Sequence, residues 1–385
     1  MWAGQAALRS PLVSDMSATG SNSPLVLSKL GYFFVGGKVE EAVPGRPFVG
    51  QMYVEFMLPA ELRHPYPIVM VHGGFQTGTN FTGTPDGRDG WAQYFIRRGY
   101  GVYVVDQVAR GRSPDWDHHH GPMSPSAERP IESFENRFTA PAAYASWPQA
   151  KRHTQFPGTG RFTDPVFAQF HASQFPSLAS YPKQQELNRD ALVALLDKIG
   201  PAILLTHSQS GAFGWPVADA RPELVKAIVA MEPNGPPVKA IVDGLQEPDW
   251  YSDEGAEKPY GLTVAPLTYD PPVSAERPLR FVRQDKPERP DFVRCWMQVE
   301  PAARLPRLAG IPIGIFVCDA SYHAAYDHCT SAYLSQAGVQ HDFIRLEDCG
   351  IRGNGHMMML EKNSDEIAQT VAEWIEGKVD RPGLA

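Results

Sequence analysis

The chain has 385 residues, 43% of them hydrophobic and 20% charged, with a formal net charge of −8, which is enough apolar material for a substantial core under a mildly acidic surface. Its lysines and arginines form no basic run of the kind that neutralises phosphates or anionic lipid, and no stretch reaches the roughly 18 consecutive apolar residues of a membrane-spanning helix. Nucleic acid and a membrane span are therefore excluded as expectations.

Along the chain, segments rich in β-branched and aromatic residues alternate with helical patterns, which predicts an α/β fold, a mostly parallel sheet with helices on both faces. The first segment, Met1 to Ser23, carries one arginine and no continuous apolar core, so no secretory signal peptide is legible. Residues 1–25 read as a flexible N-terminus, and the expected location is the cytoplasm, or outside the cell if a leader has been removed. Strands are predicted at 31–36 and 51–58, and a wholly apolar one at 67–71, stopped by the turn His72-Gly73-Gly74. A helix over 87–98 and a strand over 101–105 complete one β-α-β unit. A helix over 183–199 with Leu187, Ala191, Leu192, Leu195 and Leu196 at helical spacing, then a strand over 202–205, complete a second. Beyond lie a helix at 212–221, strands at 226–231 and 311–317, a helix at 326–336, a strand at 342–346 and a closing helix at 364–376.

Two stretches, 115–181 and 234–305, break this rhythm with proline, aromatics and weak periodicity, and read as lid or cap insertions in a single domain. Their aromatics, among them Trp147, Phe156, Phe170, Trp250, Tyr251 and Tyr260, suggest an apolar acyl or alcohol pocket. The four cysteines, Cys295, Cys318, Cys329 and Cys349, lack the C-x-x-C spacing of a zinc or redox site; they read as structural thiols, with one disulfide among them left open.

The chemistry concentrates in Ala202-Ile-Leu-Leu-Thr-His-Ser208-Gln-Ser-Gly211, an apolar strand turning sharply into a helix with serine at the turn. Such a nucleophile elbow lifts the serine hydroxyl above the sheet and demands small residues two positions to either side, usually glycines and here Thr206 and Ser210. Ser210 offers an alternative register two residues further along, and strand-end position favours Ser208. A neutral serine needs a base, which in this fold is a histidine after the last strand, and of the 12 histidines only His356, in a glycine-rich loop, sits there. The orienting carboxylate has two candidates, Asp319 and Glu232, each at the end of a predicted strand.

The segments T-H-S-Q-S-G at 206–211, M-E-P at 231–233 and G-N-G-H-M-M-M at 353–359 resemble a small group of bacterial serine esterases within the α/β-hydrolase superfamily. The likeness extends to F-F-V-G-G at 33–37, T-P-D-G-R-x-G-W at 84–91 and D-Q-x-x-R-G-R-S at 106–113, but not to 234–305. That resemblance implies a Ser-Glu-His triad of Ser208, Glu232 and His356. It also implies an oxyanion hole made by the backbone N–H groups of Gln209 and Gly74, although the family can carry cysteines at the turn where this chain has Gly74 and Phe75.

The expected activity is carboxylic ester hydrolysis through an acyl-enzyme on a small-molecule ester, with no cofactor and no metal. A lactonase using the same groups on a cyclic ester is the alternative, a non-catalytic binding protein of the same fold is the rival from another class, and the oligomeric state, a homodimer included, is left open. His118-His119-His120 cannot all face one ion from a regular element and lacks an evident acidic partner. Asp106 and the run 110–113 read as loop-fixing, and Met357, Met358 and Met359 as packing beneath the histidine loop or facing the acyl pocket.

Overall fold

Alternate residues of each central strand point to opposite faces of one sheet, and both faces are covered. This computed structural model describes residues 24–116, 119–124, 129–241, 250–251 and 257–379. Strands β1 (Leu27–Val39), β2 (Phe48–Pro59), β3 (Ile68–Val71), β4 (Val102–Asp106), β5 (Ala202–His207), β6 (Val225–Met231), β7 (Ile313–Val317) and β8 (Asp342–Arg345) form an eight-stranded sheet. Its spatial order is β1-β2-β4-β3-β5-β6-β7-β8, with the β1–β2 and β2–β4 pairs antiparallel and all pairs from β4 onward parallel.

The period-2 geometry of a strand explains the two cores. Val69 and Val71 of β3 and Leu204 of β5 face one way, against Leu192 and Leu195 of α2 (Tyr181–Ile199) and Phe213 of α3 (Gly211–Ala220). Ile68, Met70, Ile203 and Leu205 face the other, against Phe95 of α1 (Trp91–Arg97) and Ile367 and Val371 of α5 (Ser364–Lys378). Helix α4 (Asp327–Gln336) adds Tyr333 and Leu334 to the first layer. All four residues of β3 are fully buried, so truncating any of them to alanine should cost about 2–5 kcal/mol.

Observed boundaries differ from expectation at two informative places. Helix α1 starts at Trp91, not 87, because residues 84–88 close a turn in which Gly87 N–H donates to Thr84 O and Arg88 N–H to Thr84 Oγ1. Strand β5 runs on through Thr206 and His207, paired with Ala230 and Met231, because both side chains are buried and the parallel ladder continues.

The stretch 115–181 contains short helices at Ile131–Phe134, Pro141–Tyr144 and Pro165–Ala172 and a ribbon pairing Met123–Ser124 with Ser177–Leu178. The described part of 234–305 carries a ribbon of Phe281–Arg283 with Trp296–Gln298 and is tied to α4 by a Cys295–Cys329 disulfide. Cys318 is a buried free thiol and Cys349 an exposed one. The flexible stretch expected at 1–25 lies, but for its last two residues, outside the described residues. Among the described residues no helix is long and apolar enough to cross a membrane.

Candidate active site

Ser208 follows the last residue of β5 with φ of +54°, the left-handed region that non-glycine residues rarely occupy, and the chain turns at once into a short 3₁₀ turn and α3. Its carbonyl is held by the Asn234 N–H at 2.8 Å. The tight neighbourhood is visible at Gly211, where an added Cβ would lie 2.5 Å from Pro233 Cβ. The two departures from glycine are each accommodated. Ser210 Oγ accepts from His207 N–H at 2.8 Å and donates to Val71 O at 2.7 Å, so it stitches the turn to β3. Thr206 packs against Gly214 of α3, where an added Cβ would approach Thr206 Cγ2 to 3.2 Å. The missing glycine before the serine is thus matched by one on the facing helix.

His356 lies in a loop fixed by the buried carboxylate of Glu361, which accepts from Gly355 N–H at 2.9 Å and Asn354 Nδ2 at 2.7 Å and contacts His153 Nε2 at 2.7 Å. The His356 carbonyl faces His207 Nε2 at 2.9 Å, and its ring stacks almost parallel on His323 with centroids 4.6 Å apart. Nδ1 of His356 is 2.6 Å from Glu232 Oε2. Burial, reinforced by the neighbouring His207, His323 and Arg137, pulls the His356 pKa well below that of an ordinary histidine.

Glu232 directly follows β6 with φ of +43° and is wholly buried. Its Oε1 accepts from Cys318 N–H at 2.9 Å and its Oε2 from Ser321 Oγ at 2.6 Å. Burial and the nearby Asp327 push its pKa up, against the pull of those two hydrogen bonds. Asp319, the competing acid, spends Oδ1 on Gly353 N–H at 2.8 Å; it braces the histidine loop and makes no hydrogen bond to His356.

Ser208, His356, Gly74 and Gln209 all border one cleft of about 550 Å³. An added Cβ at Gly74 would lie 3.9 Å from Gln209 Cβ, so the two residues are neighbours, and Phe75 is held at φ of +60°. Of the aromatics expected to line a pocket, Trp147 and Trp250 do. Phe156, Tyr251 and Tyr260 do not, being packed elsewhere, and Phe170 borders a separate cavity of about 650 Å³ between residues 79–87 and the helix Pro165–Ala172. All three methionines belong to the core, and Met357 also borders the cleft.

The sequence reading missed His323, Ser321 and His207. His207 had a signal, since it precedes the serine at a buried strand end; the other two lie where no periodicity points. His323 Nδ1 is 2.9 Å from Asp327 Oδ1. Ligating atoms of Glu232, His323 and His356 cluster within 4.8 Å, yet Nδ1 of each histidine faces a carboxylate, a pattern of paired hydrogen bonds rather than of donors converging on an ion. In the histidine run the His120 backbone N–H donates to Asp115 Oδ1 at 3.3 Å, and His118 lies outside the described residues. Asp106 does fix its loop, accepting from Gly78 N–H at 2.7 Å and Arg112 N–H at 2.8 Å.

This strand order, with the cleft at the carboxyl ends of the parallel strands, defines an α/β-hydrolase fold. The chain belongs to the Alpha/beta hydrolase family, whose model matches residues 68–370. It is 43% identical over 345 residues to the "Probable secreted lipase phiG" of a fungal species (strain ATCC 74256), covering 90% of this chain and 89% of that one. A shorter match, 35% over 94 residues, joins it to "Lipase LipV" of Mycobacterium tuberculosis, over 23% of this chain and 36% of that one. Among solved structures it is similar to a bacterial esterase, with a TM-score of 0.58 and 25% identity over 93% of this chain and 98% of the other. The protein is an enzyme of the lipase and esterase type of hydrolase.

Proposed function

We propose that this protein hydrolyses carboxylic esters through a serine acyl-enzyme, with Ser208 as nucleophile, His356 as general base and Glu232 as the orienting acid. The observation that carries this reading is the 2.6 Å contact between His356 Nδ1 and Glu232, in a cleft that also holds the left-handed Ser208. The three donors around Glu232 suit an ionised carboxylate, which keeps the His356 proton on Nδ1 and leaves Nε2 to accept the serine proton. As Ser208 Oγ bonds to the ester carbonyl carbon, the proton passes to His356 and the negative charge moves to the carbonyl oxygen. The N–H groups of Gly74 and Gln209 receive that oxyanion, each worth on the order of 3 kcal/mol. Collapse expels the alcohol, which takes the proton from His356, and water repeats the sequence on the acyl-enzyme.

The stretches 115–181 and 234–305 act on this reading as a cap that selects substrate, since Trp147 and Trp250 of the two border the same cleft. The same groups would open a lactone by an identical attack. The name of the fungal relative and the Cys295–Cys329 disulfide together support action in an oxidising, extracellular setting. The test is mass spectrometry after treatment with a fluorophosphonate: one adduct on the peptide containing Ser208, and loss of turnover of short-chain aryl esters in proportion, are expected. A labelled protein with undiminished turnover would refute the reading.

A further inference from the structure

Arg110 is 4% exposed, yet among the described residues its guanidinium hydrogen-bonds only to uncharged oxygens. Nη1 donates to Gly73 O at 3.0 Å and reaches Gln76 O at 3.5 Å, while Nη2 donates to Gln209 Oε1 at 3.1 Å. Burying a cation without a directly bonded carboxylate is costly, and a neutral donor would hold a loop as well. The charge therefore asks for another use.

The Gly73 carbonyl and the Gly74 N–H belong to one peptide unit. Resonance couples them, so positive charge at the oxygen draws density from the nitrogen and makes the N–H a stronger donor. A second donor reaches the same oxygen. His72 Nε2 accepts the Gln107 N–H at 3.0 Å, which puts the ring proton on Nδ1, and Nδ1 lies 2.9 Å from Gly73 O. Burial pulls the His72 pKa down to about 3, so that ring is neutral and the charge comes from Arg110. Burial also pulls Arg110 down, to about 9, against the favourable charge of the nearby Asp106, to which it makes no hydrogen bond, and this leaves it protonated at neutral pH. On its other side Arg110 fixes the Gln209 side chain, which in turn donates from Nε2 to Gln184 Oε1 at 2.7 Å.

We propose that Arg110 is a positioning residue of the oxyanion hole, polarising the Gly73–Gly74 peptide so that the Gly74 N–H stabilises the developing oxyanion, and clamping Gln209 beside it. The proposal rests on the esterase reading above. One buried cation thereby serves both donors without touching substrate.

The test compares Arg110→Gln, which can keep a neutral donor, with Arg110→Lys, which keeps the charge. The measurements are kcat and KM on an aryl ester, and inhibition by an aryl trifluoromethyl ketone, which forms a tetrahedral oxyanion on the serine. Arg110→Gln should lose about 30-fold in both kcat and ketone affinity with KM changed less than about threefold, a smaller effect than deleting a whole donor. Arg110→Lys should keep both within about fivefold. Equal losses in the two variants that follow their melting temperatures, or an unchanged ketone affinity, would overturn the proposal. If Arg110→Gln does not fold, Arg110→Lys decides alone, a drop beyond about 30-fold in ketone affinity overturning it. Ser208→Ala is run alongside: turnover surviving there sinks the esterase reading itself, whereas turnover lost there and intact in Arg110→Gln sinks only the role of Arg110.

Discussion

Glu232 and His356, 124 residues apart in sequence, meet at 2.6 Å with both side chains shut away from solvent. An isolated buried carboxylate is expensive, and this one is held by Ser321 Oγ and Cys318 N–H as well as the imidazole. Replacing it with glutamine leaves the shape but removes the charge that, on the proposed mechanism, orients and compensates the imidazolium. Glu232→Gln should therefore lower kcat by about 10⁴ with KM little changed. Asp319→Asn should stay within about tenfold of the wild type, because its carboxylate binds Gly353 N–H. Steady-state kinetics on both variants checks the pair, and a dead, folded Asp319→Asn beside an active Glu232→Gln would reverse the assignment.

The two serines of the elbow should separate just as clearly. Ser208→Ala is expected to abolish turnover by several orders of magnitude while melting like the wild type, since no hydrogen bond from its Oγ holds the fold among the described residues. Ser210→Ala removes a fully buried hydroxyl that links β5 to Val71 of β3, which should cost about 1–3 kcal/mol of stability and leave most of kcat. Urea unfolding with activity assays on each variant reads both effects.

The central sheet and two residues of the candidate site were legible because local pattern carried them: an apolar run ending at Ser208, and a glycine-rich loop after the last strand around His356. Which carboxylate meets His356 was not legible from position, because Glu232 and Asp319 stand at the ends of neighbouring parallel strands. What separates them is backbone direction, Glu232 turning through a left-handed φ toward His356 while Asp319 meets the loop's own amide. Thr206 looked like a defect in the motif until Gly214, eight residues on, proved to face it. His323 and Ser321 had no sequence signal, since their place beside His356 and Glu232 follows from how the chain leaves β7. The disulfide was equally hidden, its cysteines lying in an irregular stretch and in α4.

Acid should act on rate and stability in the same direction. On the proposed mechanism His356 serves as base only when neutral, and burial holds its pKa well below the ordinary value of 6.5. Activity should therefore persist as pH falls through 6.5, with the acid limb of kcat/KM centred clearly lower. His72 and His207 are also buried neutral, each with its pKa lowered to about 3. The unfolded chain takes up their protons near 6.5, so the stability they contribute is complete above that pH and declines as pH falls toward 3. Urea midpoints between pH 7 and 4 should decrease steadily; a flat profile would mean that these rings are solvated.

The Cys295–Cys329 bridge closes a separation of 34 residues and joins 234–305 to the helix that carries Asp327, the partner of His323. A loop of that length gives a chain-entropy stabilisation of about 3–4 kcal/mol, since the cross-link mainly restricts the unfolded state. Cys295→Ser should therefore lower the unfolding free energy by about 2–4 kcal/mol. Turnover of a small aryl ester should change little at temperatures where the variant is folded, because neither sulfur touches Ser208 or His356. The pairing itself has a direct chemical readout. Cys349 is exposed and Cys318 buried, so the native protein should react with one equivalent of a thiol reagent, the denatured but unreduced protein with two, and the reduced protein with four. Four reactive thiols before reduction would show the bridge to be absent in solution, and the stability loss predicted for Cys295→Ser should then vanish with it.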